Sequence, residues 1–312
     1  MYIARRIGIF ALSVLISSLL VFVVLSILPG DPAQAMLGTQ ATPEAVEALR
    51  DELGLNRPIL VQYVDWLASA VRGDLGTSPF SGQDIAAQIG QRLQLTIPLA
   101  LLAMAMTIII AFPLGVFAAA RHRKLGDAVI SVGSQVGLAI PAFWAGLLMV
   151  TVFAVNLGWF SASGFPGWKV SVADSIRALF LPALSLAIVQ AAIITRYVRS
   201  AVLDTMRHDY IRSARSKGLT WSAALWRHGL RNAAIPVLTV LGLQFAALLA
   251  GTVVIESVFV LPGLGSMLLQ GITRRDLPLV QGGALTIAVL ILTVNLAVDL
   301  LYRFIDPRVA RR

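Results

Sequence analysis

Asp209–Pro236 reads DYIRSARSKGLTWSAALWRHGLRNAAIP, a basic, glycine-punctuated island between two apolar runs, Ala178–Val198 and Ala233–Ile255. Charge this dense serves no packing purpose between membrane-grade segments, so the island belongs at a membrane surface and meets something there. Asp209 to Lys217 suits a short amphipathic helix, with Ile211, Ala214 and Gly218 along one face. Gly218 is placed to stop that helix, because glycine enters the left-handed region at little cost. Thr220 can then cap a second helix from Trp221 to Asn232 that runs into the next apolar run. A solvated loop resting on anionic lipid heads would explain the charge. It would not explain the small-residue pattern or Tyr210, Trp221 and Trp226. A rigid helix–glycine–helix unit that docks into a partner's groove explains both.

Outward from the island, the 312-residue chain is 57% hydrophobic and only 13% charged, with a mean hydropathy of +0.81. A soluble chain of this size needs far more polar surface. Six runs reach the length required to cross a bilayer as a helix: Ile7–Leu28, Leu95–Ala120, Ala128–Leu157, Ala178–Val198, Ala233–Ile255 and Gln281–Tyr302. Lipid cannot satisfy the backbone groups of an open strand, so each run is helical. The expected fold class is an all-α polytopic membrane protein with six transmembrane helices.

The net charge of +9 is distributed by topology. Arg5 and Arg6 precede the first run, Arg121, Arg123 and Lys124 separate the second and third, and Arg196, Arg199, Arg207, Arg212, Arg215, Lys217, Arg227 and Arg231 surround the fourth-to-fifth connection. Arg303, Arg308, Arg311 and Arg312 close the chain. These segments are alternate loops, and the positive-inside rule makes them and both termini cytoplasmic. The first loop on the other side is net acidic, through Asp31, Glu44, Glu47, Asp51, Glu52, Asp65, Asp74 and Asp84. The basic balance is therefore no nucleic-acid footprint. The absence of cysteine excludes disulfides, thiolate metal sites and thiol catalysis.

Two blocks are expected: residues 1–93, a membrane helix with an external loop, and residues 94–312, a five-helix core carrying a cytoplasmic loop at 199–233. The first apolar run exceeds the 7–15 residues of a signal-peptide core, which favours a retained anchor despite the Ala33-Gln34-Ala35 pattern. In the external loop, Thr42-Pro43-Glu44 reads as a cap, a proline at the first helical position and an acidic first turn, with Gly54 ending the helix. Ile59 to Val71 has helical apolar spacing and predicts a surface-lying helix. Pro98, Pro113, Pro141, Pro182 and Pro236 fall in or beside spans and predict kinks.

Catalytic constellations are missing. The lysines are Lys124, Lys169 and Lys217, and none stands in the Gly-Lys-Ser/Thr of a phosphate-binding loop. Arg196, Glu256 and Asp299 lie near span ends, where interfacial roles such as an Asp299–Arg303 pair suit them better than a proton relay. Gln135, Gln190, Gln244 and Asn295 are neutral mid-membrane polar groups, fit either to line a path or to bond neighbouring helices. His122, His208 and His228 lack metal-ligand spacing and read as surface residues. The expectation is transport or assembly without catalytic or metal residues. An ion-coupled secondary transporter and a non-transporting membrane assembly factor stay open as alternatives.

The island resembles the cytoplasmic loop motif of ABC importer permeases: Glu-Ala-Ala, three residues, Gly, nine residues, Ile-x-Leu-Pro. Aligned on Gly218, the first three positions are Arg212, Ser213 and Ala214, and the last four are His228, Gly229, Leu230 and Arg231. Gly218, Ala214 and Leu230 match, while the acid, the isoleucine and the proline do not. The form with Lys217-Gly218-Leu219 and Arg231-Asn232-Ala233-Ala234-Ile235-Pro236 resembles the dipeptide/oligopeptide/nickel branch. So do Leu28-Pro29-Gly30-Asp31-Pro32, Leu53-Gly54-Leu55-Asn56-Arg57-Pro58 with Gln62-Tyr63, and Gly73-Asp74-Leu75-Gly76-Thr77-Ser78. Glu256–Gly265 (ESVFVLPGLG) and Asp306-Pro307-Arg308 agree as well. The resemblance covers nearly the whole chain.

That resemblance implies a type I ABC importer permease fold in the bacterial inner membrane, forming half of a translocation pathway for peptides or a related small solute. It implies a second homologous permease chain, two ABC ATPase subunits and an external solute-binding protein. The chain itself would bind no cofactor, with ATP and Mg on the ATPases. Arg212, Ser213, Ala214, Arg215 and Gly218 would contact an ATPase, with Arg212 standing where the family motif is acidic. Leu261, Pro262, Gly263, Leu264 and Gly265 would form an external turn near the gate or the binding protein.

Overall fold

A computed structural model of the protein describes residues 2–27, 32–38, 41–52 and 54–305. The Leu28–Asp31 stretch, Leu53, and the terminal residues from Asp306, with Arg308, Arg311 and Arg312, lie outside the described residues. The side chain of Arg303 is also outside them, so the expected Asp299–Arg303 pair is not described.

The elements run in order as α1 (Tyr2–Ile27), α2 (Pro32–Leu37), α3 (Pro43–Glu52), α4 (Ile59–Val71), α5 (Ile85–Ala120), α6 (Leu125–Ala139), α7 (Ala142–Met149) and α8 (Val172–Met206). There follow α9 (Asp209–Ser216), α10 (Trp221–Ala224), α11 (Leu230–Val258), α12 (Leu264–Arg274) and α13 (Leu277–Ile305). Helix α7 continues into a π-helical turn over Val150–Asn156, and a second π turn over Leu225–Gly229 joins α10 to α11. Among the described residues there is no strand, and α1, α5, α8, α11 and α13 each contain an apolar stretch long enough to cross a bilayer.

The third span departs from expectation. Ala128–Leu157 is not one rod: α6 and α7 form a pair bent by 96° at Ile140-Pro141. Pro141 disfavours helical backbone at the residue before it, and Ile140 is extended (φ −88°, ψ 118°). Pro98, Pro113, Pro182 and Pro236, in contrast, lie inside continuous helices.

Two compact units are formed from discontinuous segments. The first contains residues 1–3, 97–261 and 294–312. Its centre is α8, against which α6, α7 and α11 pack. Lipid tails are as apolar as leucine, so such helices associate through close packing rather than water exclusion. Small residues make that approach possible. A methyl on Gly115 would stand 2.6 Å from Val198 Cβ and 2.8 Å from the Thr195 carbonyl. A buried cluster around this crossing joins Ala111 and Ala119 of α5, Ile194, Val198 and Val202 of α8, and Leu225, Ala233 and Val237.

The second unit contains residues 4–96 and 262–293. Its α3 and α4 start and end where expected: Thr42 Oγ1 accepts from the Ala45 amide at 3.3 Å, and Gly54 has φ +69°. Helix α4 presents Tyr63 and Trp66 to Phe22 of α1, with ring centroids 5.4 and 5.8 Å apart. Ser18 and Tyr63 share a 2.9 Å hydrogen bond. Ile85, Ile89, Leu264, Met267 and Leu279 form its buried core.

Candidate functional site

The 209–236 island folds as its sequence predicts. Helix α9 carries Asp209 in its first turn and ends at Ser216; Gly218 has φ +94°. That left-handed glycine lets the Leu219 amide return to the Ala214 carbonyl at 3.4 Å, satisfying an acceptor that the helix end leaves open. Thr220 Oγ1 accepts from the Ala223 amide at 3.3 Å, and the chain is helical from Trp221 to Val258 apart from the π turn. One apolar pin holds α9 down: Ile211 is fully buried.

Arg212, Ser213, Arg215 and Gly218 are exposed, and Ala214 is half-buried. Among the described residues, Arg212 pairs with Asp209 at 3.5 Å, one turn back on the same helix. Asn232 of α11 ties the two arms together by donating from Nδ2 to Tyr210 Oη at 2.9 Å and to the His228 carbonyl at 3.1 Å. His208 stacks on Tyr210 with a 5.7 Å centroid separation.

The second set of predicted residues is mostly inside. Leu261, Gly263, Leu264 and Gly265 are buried, and only Pro262 is exposed. The Leu264 amide donates to Thr96 Oγ1 at 2.9 Å. Beside them, Val260 is exposed and holds φ +50°. A β-branched residue rarely adopts that conformation. The Leu261 amide donates to the Glu256 carbonyl at 2.8 Å across this turn. Glu256 lies two residues before the end of α11, as its place at the end of the fifth apolar run predicts, and is fully buried there.

A cluster that sequence reading missed lies at the start of α6. Asp127 Oδ1 accepts from Arg199 Nε at 2.5 Å and Oδ2 accepts from Arg199 Nη2 at 2.7 Å, a bidentate fork between α6 and α8. The Arg123 amide donates to Oδ2 at 3.0 Å, and Arg123 takes φ +63°. His122 Nδ1 lies 3.3 Å from Asp127 Oδ2 and 3.2 Å from Arg199 Nη2, so the half-exposed His122 borders the pair from the surface side. Ser131 Oγ donates to Asp127 Oδ1 at 3.4 Å. The serine faces the carboxylate and not the imidazole, so this is no nucleophile–base pair. The signal available in sequence was a single acid within a run of basic residues, Arg121-His122-Arg123-Lys124-Leu125-Gly126-Asp127.

In the second unit, a cleft of about 780 Å³ opens among Phe22, Arg57, Gln62, Trp66 and Gln281 and includes none of the predicted site residues. Its Arg57 is already paired with Asp65 at 3.0 Å.

Residues 111–311 match the family described as the inner membrane component of binding-protein-dependent transport systems. The chain belongs to that family. Residues 1–100 match the N-terminal membrane component of the same systems. The permease is 44% identical over 295 residues to a Brucella abortus (strain 2308) chain assigned as a peptide transport system permease protein, covering 95% of this chain and 94% of that one. It is 39% identical over 312 residues to the oligopeptide transport system permease protein AppB of Bacillus subtilis (strain 168), covering 99% and 98%. It is 36% identical over 308 residues to the glutathione transport system permease protein GsiC of Escherichia coli O6:H1, again covering 99% and 98%. Among solved structures, an amino acid ABC transporter chain crystallised with histidines aligns with a TM-score of 0.55 at 20% identity, covering 70% of the permease and 94% of that chain. That likeness concerns the fold. The permease is thus a multi-pass subunit of an ABC importer in the bacterial inner membrane.

Proposed function

We propose that this permease forms half of a pathway for peptides or a related small solute, paired with a second homologous permease and driven by two ATPase subunits that hold ATP and Mg. An external binding protein delivers the solute, and both termini face the cytoplasm. The observation that carries this reading is the exposed face of α9. Only Ile211 of its eight residues is buried, and the Gly218 turn closes the end of the helix with the Leu219 amide donating to the Ala214 carbonyl. A short, stiff helix with an unused polar face suits a groove on a moving partner. Arg212, Ser213, Ala214, Arg215 and Gly218 then form the ATPase contact. The loop at 199–233 belongs to a core of residues 94–312, with residues 1–93 as the N-terminal helix and external part. Arg212 meets a different partner charge from the one an acidic residue would meet. Pro262, the exposed member of Leu261–Gly265, marks where the gate or the binding protein approaches. The basic island also rests near anionic lipid, and no nucleic acid takes part. Peptide as solute is supported by the names of the three relatives above.

The chain has no cysteine, so a single introduced thiol labels without background. A benzophenone photo-crosslinker on Ser213→Cys should form an adduct with an ATPase subunit, and one on Pro262→Cys with the binding protein. Ser213→Cys adducts with lipid alone, in a complex that still transports, would overturn the coupling assignment.

A further inference from the structure

We infer that Asp127 and Arg199 form a positioning clamp that locks α6 to the base of the coupling element, so that both move as one block during transport. This rests on the coupling reading of α9 given above. The clamp joins groups 72 residues apart. Asp127 is nearly inaccessible, with a side chain 7% exposed, and its two oxygens accept five donors or ring contacts: Arg199 Nε and Nη2, the Arg123 amide, His122 and Ser131. A planar guanidinium fork on a carboxylate fixes orientation as well as distance, which a lysine or a single hydrogen bond does not.

The location gives the clamp its role. Arg199 is ten residues before Asp209, on the last part of α8 before it leads into α9. Val198 and Val202, on either side of it, belong to the same buried cluster as Leu225 and Ala233, which form the base of the second arm. Close packing at Gly115 adds α5 to that cluster. Helix α6 is held differently. Most of its residues are exposed, and only Asp127 and Ser134 are buried. Helix α6 also packs along α8, where a methyl on Gly137 would stand 3.0 Å from Ala192 Cβ, and the ionic fork is its buried polar attachment at the Asp127 end. Beyond the 96° bend, α6 leads into α7, which packs on α8 and α11. A displacement of α9 is passed to the Asp127 end of α6 with fixed orientation while the fork holds.

The test uses the full transporter, with its partner permease and ATPases, in nanodiscs. Spin labels on Val129→Cys in α6 and Asp204→Cys in α8, both exposed positions, report the α6–α8 distance with no nucleotide and after ATP–vanadate trapping. With the clamp intact, the distribution should be narrow and the same in both states. Adding Asp127→Asn, which keeps the shape but removes the charge, should broaden it about twofold and make it change on trapping. The complex should still assemble and hydrolyse ATP, a result that a merely structural role for Asp127 would not produce. Arg199→Lys, charged but without the fork, should behave like Asp127→Asn. The clamp is overturned if the parent distance shifts on trapping, or if Asp127→Asn leaves both distributions as narrow as the parent's. Should the parent complex trap no nucleotide at all, the coupling reading fails, while the nucleotide-free widths still decide the clamp.

Discussion

Ser78 Oγ donates a 2.5 Å hydrogen bond to Asp276 Oδ2 across 198 residues of sequence, and both residues are 2% exposed. The other carboxylate oxygen, Oδ1, accepts from the Leu279 amide at 3.2 Å and so caps the start of α13. One buried acid therefore anchors the Gly73–Ser78 turn and begins the last span. Removing Ser78 Oγ leaves a buried charge short of one donor, at a cost of about 1.5–3 kcal/mol. Ser78→Ala should lower the thermal midpoint of the purified permease, and Asp276→Ala should lower it further, because the cap is lost too. Equal midpoints for Ser78→Ala and the parent would show that the bond contributes nothing.

Gly218 combines a left-handed backbone with open space, since beyond its two chain neighbours no atom lies within 4 Å of where its Cβ would be. The penalty of a side chain there is conformational, on the order of 1–2 kcal/mol, and is greatest for β-branched residues. Gly218→Val should abolish ATP-coupled uptake while membrane levels stay normal. Gly218→Asn, which tolerates the same φ, should retain much more. If both variants transport equally, the turn's geometry is not what couples.

Arg199 and Asp127 are unequal partners, with side chains 27% and 7% exposed. Without Asp127 the guanidinium can turn toward water. Without Arg199 the carboxylate stays buried, with a cost of about 3–5 kcal/mol for an uncompensated charge. Arg199→Ala should therefore destabilise more than Asp127→Ala, and the double variant should cost less than the sum of the two. Thermal unfolding of the three variants in one detergent decides this; additivity would mean the pair does not interact energetically.

The purified chain alone should hydrolyse no ATP, because Lys124, Lys169 and Lys217 all lie outside any Gly-Lys-Ser/Thr loop. Phosphate release above that of a mock preparation, retained through purification, would contradict this.

Features that depend on neighbours along the chain were legible in sequence. The α3 start at Pro43, the α4 limits at Ile59 and Val71, the Gly218 stop and the Thr220 cap all appear where residue types within a few positions predict them. Local hydrogen bonds and backbone preferences decide such features, and both are written into adjacent residues. Pro141 was legible as a disturbance, but not as a 96° turn. The same residue type leaves α5, α8 and α11 continuous at Pro98, Pro182 and Pro236, since surrounding helices can support a kink.

By itself, then, the sequence determined a helical membrane chain, its apolar spans, and the helix–glycine–helix element with an exposed Arg212, because length, hydropathy and capping act locally. Only the tertiary structure decided that Asp127 meets Arg199, that His122 joins them, that Ser78 anchors on Asp276, and that Glu256 is buried. Each of those outcomes depends on which helices come together in space. Hydropathy and capping signals do not encode that choice, because a carboxylate's partner is set by packing and not by its neighbours in the chain.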